Sequence, residues 1–178
     1  MIAPDAIEPV VGWRCWRVVD TREGFVLSSA SRTVFWPPGL AFEAFCPAED
    51  HDPPAACCSC GVYAARSPEL VLEYFPPVVR SAATIIAPAI LGYDTVMAVG
   101  LVSLWGEVVE GDRGWRGRYA YPRELFVPSA VKHYRRGSGK RFEVFDSADL
   151  AGALGELYDV PAQVTRTVRP RELSLQCL

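Results

Sequence analysis

At 178 residues, half of them hydrophobic and 22% charged, the chain has enough apolar material for one ordinary core, which excludes a predominantly disordered protein. The net charge of −3 hides an asymmetry: residues 1–110 carry six basic and thirteen acidic side chains, and residues 111–178 carry twelve and eight, so the first part stands at −7 and the second at +4. A run near membrane length occurs at residues 82–105, but Pro88, Gly92 and Asp94 interrupt it, and the N-terminus lacks the basic start and apolar run of a secretory signal; the expectation is a cytoplasmic protein with no membrane segment.

Residues 12–19 (GWRCWRVV) and 25–29 alternate apolar with polar side chains around a charged connection at 20–24, which predicts a two-stranded hairpin. A third strand is expected at 33–36, stopped by Pro37, Pro38 and Gly39, because proline lacks the ladder donor. Residues 41–46 lead into a proline- and cysteine-rich loop. Ser67, Pro68 and Glu69 open a short helix whose apolar face is Leu70, Val71, Tyr74 and Phe75, and Pro76 and Pro77 close it. Residues 95–109 are rich in β-branched and apolar side chains and predict a central strand, bent or bulged at Gly100 or Gly106. A turn at 111–114 returns the chain as an antiparallel strand over 115–121, ended by Pro122. The basic segment 132–141 reads as a loop, 142–145 as a short strand, and 147–158 as a capped helix with Leu150, Leu154 and Leu157 on one side. The five tryptophans, Trp13, Trp16, Trp36, Trp105 and Trp115, all fall on these strands and are assigned mostly to the core, with a ligand-lined groove as the alternative.

The resulting plan is α+β: a mainly antiparallel twisted sheet or partly closed barrel with two short helices and a zinc-tied loop, in one domain over residues 1–166 with a loosely held tail at 167–178.

Six cysteines without a signal peptide point to metal chemistry rather than a disulfide scaffold. Cys46, His51, Cys57, Cys58 and Cys60 fall within fifteen residues, and Pro47, Pro53 and Pro54 limit how far that loop can wander. Thiolates and imidazole are the donors zinc prefers, and four complete a tetrahedron; the assignment is Cys46, His51, Cys58 and Cys60. Cys57 competes with Cys58, since neighbouring side chains point apart and one of the two completes the shell. The Cys-x-Cys bite is less typical of structural zinc than Cys-x-x-Cys. Glu49, Asp50 and Asp52 flank His51 as candidate acceptors for its second ring nitrogen.

Residues 111–141 hold nine basic and two acidic side chains interleaved with Trp115, Tyr119, Tyr121 and Tyr134, a composition suited to nucleic acid or an acidic protein surface. Arg116, Arg118, Lys132, Arg135, Arg136, Lys140 and Arg141 are the candidate contacts, although the same alternation arises on any strand with one solvated face. The segment 137–140 ends like a phosphate-binding loop but lacks its first glycine and final hydroxyl, so a nucleotide loop is rejected. Cys15 with His133 as a thiolate pair, and Glu107 or Glu110 as a general acid or base, are the remaining catalytic candidates.

The segments Cys58-Ser-Cys60-Gly-Val-Tyr-Ala64, then 99–108 (VGLVSLWGEV), then Gly114-Trp115-Arg116 with Tyr121-Pro122, resemble a group of small bacterial proteins, mainly actinobacterial, over residues 12–126. That group carries no assigned activity, so the resemblance supports the metal cluster and implies no catalytic residue. The order of a strand at 62–64, a helix at 68–75 and a glycine-containing strand at 96–109 is also similar to PUA-like barrels, including the ASCH group, which implies RNA or modified bases as ligands.

The function expected is a zinc-stabilised binding module, with nucleic acid at 111–141 as the first partner. The alternatives are a small zinc- or cysteine-dependent hydrolase or transferase, and a structural protein-interaction subunit; the sequence leaves the question of catalysis and the oligomeric state open.

Overall fold

The computed structural model describes residues 8–22, 24–30, 34–48, 50–72, 96–129, 133–136 and 142–165, the strands at 133–136 and 142–145 by their backbone. Strand β1 (Val10–Thr21) pairs antiparallel with β2 (Gly24–Ser29), from Trp16 opposite Ser29 to Thr21 opposite Gly24, as the alternation predicts. Its other edge takes the long central strand β5 (Val96–Gly111), which turns directly into β6 (Gly114–Pro128). Two short strands, β3 (Phe42–Glu43) and β4 (Val62–Ala65), also pair with β6. A single residue pair, Trp13 opposite Ala65, joins β4 to β1, so β1, β5, β6 and β4 form a partial ring. The architecture is therefore α+β with a mostly antiparallel sheet.

Alternation sorts the side chains of β1 and β5 onto two faces. Trp16, Val18, Ala98, Val102 and Leu104 join the larger core, roofed by Leu27, Trp36 and helix α2 (Ser147–Tyr158). Trp13, Cys15, Val99 and Phe126 form a second cluster, covered by Val71 of the short helix α1 (Pro68–Leu72). Buried Tyr158 ties the roof to the sheet: its hydroxyl donates to the Trp36 carbonyl (2.8 Å) and accepts from the Leu27 N–H (2.9 Å). Trp16 meets Trp36 edge to face at 5.5 Å, and Phe42 stacks on Trp36 at 4.8 Å.

Several local expectations need correction. In place of a strand at 33–36 there is one bridge, Ser28 to Phe35, and Trp36 turns into the core; Thr33 lies outside the described residues. Pro122 does not end β6, which continues to Pro128: the ladder passes from Leu101–Glu124 to Val102–Pro122, leaving Arg123 as an extra residue, and a proline is tolerated where pairing is already broken. The central strand is bulged at Gly106 as expected; there φ is +73°, and Gly106 and Glu107 together oppose Arg118.

The helix face of α2 is Leu150, Ala151, Leu154 and Tyr158, whereas Leu157 is 40% exposed because it sits at the rim of that arc. Its N-cap is Asp146, accepting from Ala148 N and Asp149 N. Sequence reading missed β9 (Ala162–Thr165), which pairs parallel with β6. The basic segment at 132–141 is not all loop: β7 (His133–Arg136) pairs with β8 (Phe142–Phe145). Lys132, Lys140 and Arg141, the helix residues Tyr74 and Phe75 with Pro76 and Pro77, and the tail at 167–178 lie outside the described residues.

Candidate metal centre

The connection between β3 and β4 brings one donor atom each from Cys46, His51, Cys58 and Cys60 to within 4.8 Å of one another. Cys46 Sγ lies 3.8 Å from Cys58 Sγ, and Cys60 Sγ lies 3.8 Å from His51 Nε2. A tetrahedron with metal–sulfur bonds of about 2.3 Å has sulfur–sulfur edges of about 3.8 Å, and sulfur–nitrogen edges are about 3.6 Å. The four residues are therefore close enough to hold a metal ion, and these two separations match edges of such a shell. Cys57 is exposed and outside the group. The tertiary structure thus favours Cys58 in the choice between neighbours.

Each ligand position has a local cause. Pro53 and Pro54 are buried and anchor the middle of the loop. Cys58 follows a turn in which its N–H donates to the Ala55 carbonyl (3.1 Å). Immediately after Cys60 the chain takes a positive φ of 117° at Gly61, a conformation glycine adopts without a Cβ penalty, and the chain then enters β4. A Cβ at Gly61 would also press at 3.1 Å on both Pro54 and Arg116.

The surrounding charges explain the loop's attachment. Arg116, on β6, donates to the carbonyls of both Cys58 and Cys60, the latter at 2.9 Å. Arg118, two residues along the same strand, pairs with Glu43 (3.3 Å) and Asp52 (3.4 Å). Tyr63 donates its hydroxyl to the Ser59 carbonyl at 2.5 Å. His51 Nδ1 lies 3.1 Å from the Asp52 carbonyl, so the tautomer with a proton on Nδ1 donates there and leaves Nε2 facing the sulfurs. The acceptor is thus the Asp52 backbone, while its carboxylate serves Arg118; Asp50 is exposed and Glu49 lies outside the described residues. Desolvation pushes the Cys60 thiol up from its ordinary value; a backbone hydrogen bond at Ala55 opposes this, and the nearby Cys58 and Cys46 thiols add to it. Thiols packed together resist ionising until a cation offsets their charge.

Of the basic candidates, Arg116 and Arg118 are committed to the metal loop, and the structure gives them an internal role that strand alternation alone could not reveal. Arg135 and Arg136 are placed on β7. Of the catalytic candidates, the His133 side chain lies outside the described residues, and the other three have these surroundings. Burial pushes the Cys15 thiol up to about 11, the reverse of an activated thiolate. Glu110 is ion-paired with Arg66 at 2.6 Å, and Glu107 is exposed on the bulge of β5. Trp13, Trp16 and Trp36 are buried as expected, whereas Trp105 and Trp115 are only partly so. Among the described residues no helix is long and apolar enough to cross a membrane.

Compared with protein families, with curated proteins and with solved structures, the chain matches none.

Proposed function

We propose that this chain is a binding module whose β3–β4 connection is cross-linked on itself by zinc, while Arg116 fastens it to the sheet. The observation that carries the reading is the convergence of three sulfurs and one imidazole nitrogen within 4.8 Å. A sulfur-rich, four-donor set suits zinc and not the oxygen-seeking magnesium or calcium. Four protein donors also fill a tetrahedron, leaving no position for a reactive water, so the metal's task is architectural and the hydrolase or transferase alternative loses its open site. A thiolate site of this kind suits a reducing cytoplasm.

Nucleic acid is the proposed partner of the basic surface, contacted by its outward cations; Arg113 and Arg123 are both exposed. Elemental analysis after purification without chelator is expected to return about one zinc per chain. Cobalt replacement is expected to give the intense visible absorption of tetrahedral thiolate coordination, unchanged by added azide. A metal-free protein, or a cobalt spectrum that shifts with azide, overturns the architectural reading. A gel shift at low salt tests the partner, and no retardation of any RNA or DNA refutes it.

A further inference from the structure

A cavity of about 680 Å³ lies between β1, β4, α1 and the tip of the β5–β6 hairpin. Its volume falls in the range of small-molecule sites, roughly 300–1,000 Å³. Three aromatic residues contribute to its wall, Trp13, Tyr63 and Trp115, and Tyr63 is 43% exposed. Charge in the lining is unbalanced: Arg113 and Arg116 contribute to it with Asp112 as the acidic counterpart, and Arg14 adds a third cation. Aromatic surface favours a planar ring through stacking, and a surplus of guanidinium favours an anion.

We propose that this cavity binds a small ligand made of a planar aromatic ring joined to an anionic group, phosphate or carboxylate. The site shares Tyr63 and Arg116 with the supports of the metal loop, since Tyr63 bonds Ser59 and Arg116 bonds the Cys58 and Cys60 carbonyls. Its ligand chemistry rests on the lining alone, not on the identity of the metal.

Isothermal titration calorimetry on full-length protein of measured metal content tests the proposal, so that failure of the metal reading is read from metal content and failure of the cavity reading from heat. The probes are adenosine 5′-monophosphate for a phosphate source and 2-naphthoate for a carboxylate source. Adenosine and inorganic phosphate separate ring from charge. The expected result is saturable binding of at least one aromatic anion, with its neutral or ring-free counterpart at least tenfold weaker. Ala30→Phe, which adds bulk at the cavity wall, is expected to abolish that binding, and Arg113→Gln, on the exposed hairpin tip, to weaken it severalfold while leaving the fold intact. No heat from either aromatic anion at millimolar concentration, equal binding of adenosine and its monophosphate, or unchanged binding in a folded Arg113→Gln protein overturns the proposal.

Discussion

Replacing Cys60 by serine removes one of the four metal donors at nearly constant side-chain volume and leaves the strand pairing of β4 in place. A metal held by these four donors would tie together the fifteen residues from Cys46 to Cys60. By the chain-entropy argument for cross-links, a loop of 15 residues is worth about 3 kcal/mol. For a chain of this size each kcal/mol moves the melting temperature by about 2–4 °C, so Cys60→Ser is expected to melt about 6–12 °C below the metal-loaded protein. The fold itself should persist, because Arg116 still holds the loop through two backbone carbonyls. Differential scanning calorimetry with and without chelator is the assay. Chelator should lower the wild-type transition by the same amount and leave Cys60→Ser unmoved, while Cys57→Ser, at the exposed neighbour, should stay within about 1 °C of wild type. A chelator-insensitive wild-type transition, or a Cys57→Ser protein that loses metal, would falsify the assignment.

Arg116→Lys exchanges a guanidinium that bonds two carbonyls for a single ammonium, and metal affinity measured by competition with a chromophoric chelator should fall about tenfold. A Cβ at Gly100 would stand 1.9 Å from the Glu124 carbonyl oxygen, between two paired strands that cannot part, so Gly100→Ala should cost about 3 kcal/mol or more in urea unfolding, or give no soluble protein. Burial pushes the Tyr158 phenol up to about 12, from an ordinary value of 10.0. An unfolded phenol ionises first, so this group's contribution is complete below pH 10 and is lost as pH rises from 10 toward 12; Tyr158→Phe should flatten that part of the stability–pH curve, and an unchanged slope would refute the assignment.

The elements legible in the sequence are those whose cause is local. Alternation around a charged turn placed the β1–β2 hairpin, and the apolar period of Leu150 and Leu154 marked α2, whose cap at Asp146 the structure supplied. The metal cluster was legible for the same reason: its donors lie within fifteen residues, and prolines restrict the path between them. Neither Pro122 as part of β6 nor β9 had a local sign, because both depend on pairing with residues distant in the chain.

Residue types and spacing determined that these thiols and this imidazole could meet, and that the chain is a mainly antiparallel α+β fold. Only the tertiary structure decided that Cys58 and not Cys57 faces the other donors, and that Arg116 and Arg118 grip the loop instead of standing free on a basic face. The physical reason is that adjacent side chains diverge, and which of two faces the core or a partner depends on the register in which β4 and β3 settle against β6.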